Sequence, residues 1–290
     1  MEAGQDGRSS AGKAGGAMTV DVEEHFQVSA FETLVRRADW DKFRSRVEGN
    51  VDRILDLFAA HATPATFFVL GWIAERHPAM VRRIAAAGHE IASHGWDHVR
   101  VPRQDAEEFR SDVRRTKALL EDVSGTPVKG YRAASFSISS AVPWAHKVLA
   151  EEGYAYSSSI YPIRHDLYGA HDGPAEPYSP NPDLPLIEIP VSAARFGQQA
   201  IPCGGGGYFR LLPYTLSRWA IARVRRDEGR RSVFYFHPWE IDPEQPRPDG
   251  LTVRTRVRHY TNQARMEGRL ARVLDDFDWG RMDHVFGELI

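Results

Sequence analysis

The stretch at 91–98, IASHGWDH, closes a short apolar run with two histidines four residues apart. At that spacing two imidazoles can share one side of a helical turn, with a nitrogen of each aimed at a single ion. The spacing alone is a weak signal. With 12 histidines in 290 residues, a chance His-xxx-His is expected roughly half the time, and ordinary hydrogen-bonded histidines are the simpler explanation of the pair taken alone. The acids of DVEEHF, 21–26, shift the weighing. A catalytic zinc takes three protein ligands and keeps one position open for water, and an acid at a strand end can be the third ligand.

The elements that would have to position these groups alternate from Met18 onward. MTVDV, ATFFVLG, HEIASH, VKGYRA, LIEIPVS and SVFYFH read as strands. Between them, Phe43, Val47, Val51, Ile54, Leu55 and Phe58 give a helical period over about 41–60. Pro78 opens a helix that Gly88 closes. Asp105 with Glu108 forms a capping-box pattern for a helix to about 122. Pro143 starts a helix ending near Gly153, and further helices are expected at about 213–228 and 257–276. The stretch 161–185, rich in Pro, His and Asp, reads as a long surface excursion. Such alternation implies parallel strands covered by helices. A single barrel-like α/β domain is the simplest arrangement, with a doubly wound open sheet as its rival. Either way active sites form at the carboxyl ends of the strands. Four of those ends carry reactive groups, Asp21, His94, Arg132 and His237, so four separate segments converge on one mouth.

Composition excludes several classes. A net charge of −2 leaves no nucleic-acid footprint, and no window of 18 apolar residues offers an ordinary membrane-spanning helix. Residues 1–17 lack an apolar segment and read as a disordered leader rather than a secretory signal. With Cys203 as the one cysteine there is no internal disulfide framework. A cytoplasmic enzyme is the expectation.

TVDVEEHFQVSAFE, SHGWDH, GYRAASFSIS and FYFHPWEIDPEQPR, in this order, resemble the polysaccharide deacetylases, the NodB-homology group or carbohydrate esterase family 4. Within that group the chain is most similar to deacetylases of exopolysaccharide loci that accompany exosortase (PEP-CTERM) sorting systems. The likeness runs from about Met18 to the end and includes GGGYFRLLPY and the helix after VRHYTNQ. It implies a distorted (β/α) barrel in a single domain, 18–290, with a family-specific extension from about 240. The implied activity is metal-dependent removal of N-acetyl groups from the amino sugars of a polysaccharide or oligosaccharide. The implied metal is Zn²⁺, although two histidines and a carboxylate also suit Co²⁺, Ni²⁺ or Fe²⁺.

The resemblance carries over by residue. Asp21 matches the catalytic base, and His94 and His98 the paired metal ligands. The acidic ligand is Glu23 or Glu24, and strand periodicity favours Glu23, on the same side as Asp21. Arg132 matches the arginine that orients the base. Phe136 matches the aromatic position whose backbone N–H faces the oxyanion, and His237 the acid that protonates the leaving amine. Two positions depart from the pattern: Ala134 replaces a usual proline, and Ser157 stands where an aspartate is expected, which puts that aspartate's support of arginine or base in doubt.

Trp96 and Trp239, beside the reactive histidines, either stack on a sugar face or fill space. The glycines at 204–207 lack a following Gly-Lys-Ser/Thr, so they read as a mobile loop presenting Tyr208 and Arg210 rather than a phosphate loop. His89 reads as structural. Arg164 and His165 are candidates for the groove rim. The competing functions are an amidase of the same fold acting on peptidoglycan or a cyclic imide or allantoin-like ring, and a sugar-binding homologue without catalysis.

Overall fold

The computed structural model describes residues 15–163, 173–197 and 199–290. In chain order the first half contains β1 (Gly16–Val22), α1 (Val47–Ala60), β2 (Thr66–Val69), α2 (Gly71–Arg76), α3 (Pro78–Ala86), β3 (Glu90–Ser93), α4 (Ala106–Ser124), β4 (Gly130–Tyr131) and α5 (Ala145–Glu151). Next come β5 (Tyr156–Ser157), β6 (Ile187–Glu188), β7 (Ala193–Phe196), β8 (Gln199–Pro202), α6 (Gly206–Leu211), α7 (Tyr214–Ala222) and β9 (Ser232–Phe236). Helices α8 (Val253–Tyr260), α9 (Gln263–Asp276) and α10 (Met282–Val285) complete the chain.

Seven strands form one sheet in the order β6-β5-β4-β3-β2-β1-β9, with every neighbour parallel. The order follows the chain from β1 to β6 without the central reversal of a doubly wound sheet, and β9 returns beside β1. The result is a curled half-barrel of α/β type. It remains open between β6 and β9, and the segment after β6 runs along that seam. Val191 N–H donates to Ile160 O (2.9 Å), Ser192 N–H to Val233 O (3.3 Å) and Tyr235 N–H to Gly204 O (2.7 Å). Here the glycine run finds its reason. Gly205 has φ 103°, and a Cβ there would lie 2.0 Å from the Tyr235 carbonyl oxygen, so only glycine lets the backbone reach β9. The run is part of the packed seam, not a mobile loop.

Alternation along β1 sorts the chain into two layers. Met18, Val20 and Val22 join the large core under the helices, while Ala17 joins the inner cluster with Phe68, Phe136, Tyr156 and Tyr235. Gly16 and Ala17 pair with Ser232 and Val233, so the leader expected over 1–17 gives up its last two residues to β1. Residues 1–14 lie outside the described residues. The capping box opens α4 as expected: Asp105 Oδ1 accepts from the N–H groups of Glu107 and Glu108, and Asp105 N–H donates to Glu108 Oε2. The helix expected at 257–276 is two, broken at Asn262 with φ 60°. No described helix is long and apolar enough to cross a membrane.

His89 is structural, with a titratable consequence. Its Nδ1 accepts the Ala65 N–H at 3.0 Å, and its ring packs against Phe58 and Phe67. Burial, with Arg281 adding repulsion, holds its pKa down at about 4. Protonating Nδ1 would turn the acceptor into a donor facing that N–H. The unfolded chain therefore takes up this proton near pH 6.5 and the folded chain only near 4. Stability is full above pH 6.5 and falls as pH drops through that window, by about 2 kcal/mol after solvent screening. Urea unfolding at pH 7 and 4.5 should show this loss in the parent protein and a smaller one in His89→Asn. Equal losses would exclude His89 as the source.

Candidate active site

Thr19, Asp21 and then Glu23 follow Ala17 on the inner side of β1 and its end, and all are buried. Asp21 meets Arg132, which leaves the end of β4 with 0% exposure. Arg132 Nη1 donates to Asp21 Oδ1 (2.6 Å) and Thr19 Oγ1 (2.7 Å). Its Nε and Nη2 go to the carbonyl and hydroxyl of Ser158 (3.1 and 3.0 Å), and its guanidinium lies 4.0 Å from the Phe68 ring centroid. The support left in doubt by Ser157 therefore comes from its neighbour. Ser157 itself bonds Ser159 Oγ, and Ser159 Oγ receives the Ala133 N–H.

The two histidines sit on a loop, not a helical turn as their spacing suggested. Gly95 (φ 74°) and His98 (φ 59°) bend the chain after β3. His94 Nδ1 donates to Arg132 O at 2.8 Å, which leaves Nε2 bare for a ligand. Burial lowers the pKa of both rings, and for His98 the positive potential of His94 and His237 adds to it. Neutral imidazoles are the form that binds metal. Ligand atoms of Glu23, His94 and His98 all lie within 4.8 Å of one another, and all three residues are buried.

The donor set fits a divalent cation on its own chemistry. Glu23 Oε2 is buried without a hydrogen-bond partner among the described residues, although His98 Nε2 lies 3.1 Å away. Burial pushes the Glu23 carboxyl up to about 7, partly relieved by His237 and reinforced by Asp21. A cation there would remove that penalty. Glu24 is engaged elsewhere. Its Oε1 accepts from Ser45 Oγ (2.5 Å) and from the N–H groups of Arg46 and Val47 (2.9 and 3.1 Å), serving the N-terminus of α1.

His237 follows β9, with Nε2 3.1 Å from Glu23 Oε1 and Nδ1 2.7 Å from Glu240 Oε1. Burial alone would lower its pKa, but Glu23, Glu240 and Asp21 outweigh it and push it up to about 9. Asp21, Glu23, His94, His98 and His237 line one cavity, with Ser29, Thr255 and Arg258 among its other walls.

Five expected residues fall differently. The Phe136 N–H donates to Ala133 O at 3.0 Å, so it is engaged within its own turn and does not face an oxyanion here. Trp239 lines the cavity, yet both His237 (4.9 Å between centroids) and His259 (4.3 Å) stack on it. It is 7% exposed, so it packs among the site's own rings rather than offering an open platform. Trp96 packs against Gly71 and under Arg115, 4.2 Å from its centroid, and is not part of the cavity wall. Tyr208 packs against the inner cluster rather than lining the cavity. Arg210, expected on a loop, is 1% exposed in α6. Arg164 and His165 lie outside the described residues. Glu240 and Ser158 escaped sequence reasoning; the glutamate's place three residues after His237 was the available signal.

Residues 40–156 match the family described as polysaccharide deacetylase. The chain carries a polysaccharide deacetylase domain. Residues 158–287 match a second family, described as a domain of unknown function (DUF3473). The deacetylase domain is similar to a chitooligosaccharide deacetylase of Rhizobium leguminosarum bv. trifolii, 41% identical over 75 residues, which are 26% of this chain and 34% of that protein. It is also similar to a peptidoglycan-N-acetylglucosamine deacetylase of Bacillus cereus, 36% identical over 80 residues, 28% and 29% of the two chains. The matches thus span about a third of these relatives. The fold is shared with a candidate polysaccharide deacetylase from Mycobacterium smegmatis, at TM-score 0.63 and 24% identity, covering 97% of this chain and 92% of that one. The deacetylase domain supplies His94, His98 and Arg132, the strand before it supplies Asp21 and Glu23, and the DUF3473 stretch supplies His237. One site draws on all three.

Proposed function

We propose that this protein is a divalent-metal-dependent hydrolase that removes N-acetyl groups from the amino sugars of a polysaccharide. The observation that carries the reading is the convergence of Glu23, His94 and His98 with Asp21 and His237 in one cavity. A protein that only binds sugar has no use for a ligand trio flanked by a carboxylate and an imidazole. The motif resemblance to exopolysaccharide-locus deacetylases favours an exopolysaccharide among N-acetylated polymers.

A cation held by Glu23, His94 and His98, Zn²⁺ by preference, supplies Lewis acidity toward water and the acetamide carbonyl. Arg132 fixes one oxygen of Asp21 and so sets the direction in which the carboxylate faces the cavity. Asp21 takes a proton from the attacking water. His237, with Nδ1–H on Glu240, presents Nε2 to the cavity and passes a proton to the departing nitrogen. The C–N bond breaks, leaving acetate and a free amino sugar.

Glu23→Ala should lower bound metal by at least about tenfold with the fold retained. Glu24→Ala should keep its metal and lose about 1–2 kcal/mol of stability through the uncapped α1. Metal analysis with urea unfolding reads both, and metal loss in Glu24→Ala alone would exchange their roles. Acetate release from N-acetylglucosamine oligomers, N-acetylated exopolysaccharide and peptidoglycan tests the function; no release from any of them, with metal bound, would overturn it.

A further inference from the structure

What sets the His237 ring lies neither on β1 nor on the ligand loop. Glu240 Oε1 receives both His237 Nδ1–H (2.7 Å) and the His237 backbone N–H (3.1 Å). Glu240 is 0% exposed, and its Oε2 accepts from Arg210 Nε at 2.5 Å. The other Arg210 donors leave the carboxylate. Nη1 donates to the carbonyls of His259 and Thr261 (2.8 and 2.9 Å) and Nη2 to that of Arg258 (3.1 Å). These are carbonyls at the C-terminal end of α8, where a cation is electrostatically favoured. The same helix brings Thr255 and Arg258 to the cavity wall.

A buried ion pair is costly to desolvate, and apolar packing would hold this turn as well. What the carboxylate adds is directional. It accepts from Nδ1–H, so Nε2 remains the nitrogen that gives and regains a proton. We propose that Glu240, clamped by Arg210, is the positioning residue for the leaving-group acid, and that Arg210 ties that acid to the α8 wall of the cavity. This rests on the deacetylase reading for its purpose, and on hydrogen-bond direction for its structure. The DUF3473 stretch then contributes the proton donor together with the apparatus that aims it.

Two readouts on the full chain, metal-loaded, test it in Glu240→Gln. In ¹⁵N-histidine spectra the parent protein should show a solvent-protected proton on His237 Nδ1, assigned by its loss in His237→Gln, and Glu240→Gln should shift or abolish it. Kinetically, Glu240→Gln should lower kcat for acetate release from chitooligosaccharide by about 10- to 100-fold with KM nearly unchanged. Hydrolysis of 4-nitrophenyl acetate, whose leaving group departs without a proton, should fall by less than about threefold. If Glu240→Gln does not fold, Glu240→Asp keeps the charge for Arg210, shortens the reach to His237, and is read the same way. A parent spectrum without a protected Nδ1 proton, or one that Glu240 substitution leaves unchanged, overturns the proposal. Equal loss of amide and ester hydrolysis overturns it too. If the parent releases no acetate, the deacetylase reading fails, while the spectra still decide whether Glu240 sets the ring.

Discussion

Asp21→Asn is expected to bind as much metal as the parent protein and to release acetate about 10³-fold more slowly. The substitution keeps the shape of the side chain, and its carbonyl oxygen can still accept from Arg132 Nη1, which donates to Asp21 Oδ1 at 2.6 Å. It removes the oxygen charge that makes the group a base. Glu23, His94 and His98, the trio able to hold the ion, are untouched, so metal content and turnover should separate. A variant with near-normal rate would move the base elsewhere, and one that loses metal would make Asp21 a ligand.

Arg132→Met should be the most destabilising single change at the site, by about 3–5 kcal/mol. The guanidinium is wholly buried and bonds Thr19 and Asp21 on β1 and Ser158 just after β5. Without it the Asp21 carboxylate remains buried and uncompensated. For a chain of this size the melting temperature should fall by roughly 10 °C. Arg132→Lys should recover little, because one ammonium cannot span Asp21 and Ser158 together. A melting temperature unchanged in Arg132→Met would show that the observed pair contributes nothing net to the fold.

Local periodicity made the frame of the site legible. β1 alternates strictly, and that favoured Glu23 over Glu24 as the inward partner of Asp21; the engagement of Glu24 at the start of α1 came only with the structure. The strand-end positions of His94, Arg132 and His237 followed from strand–helix alternation alone. Contacts across the sequence were not legible in the same way. The His94–His98 spacing matched a helical turn, but Gly95 and His98 at positive φ give a loop, and spacing does not encode backbone sign. Trp239 beside His237 left two readings open, a sugar platform or a space filler, and the stacking of His259, from α8, favours the second. Arg210 looked exposed because a glycine run precedes it, yet those glycines exist to bring the backbone against Tyr235. In each case a partner distant in sequence decided what the residue does. The Phe136 amide differs, since its acceptor, Ala133 O, is three residues away and is set by turn geometry.

The central claim is a metal-dependent deacetylation at Glu23, His94 and His98. The most direct test is elemental analysis of the purified chain alongside acetate release from N-acetylglucosamine oligomers, before and after chelation and again after restoring zinc. The expected result is about one zinc per chain, with acetate release abolished by the chelator and recovered with the metal. Acetate release that persists in metal-free protein, or a chain that takes up no metal on reconstitution, would contradict it.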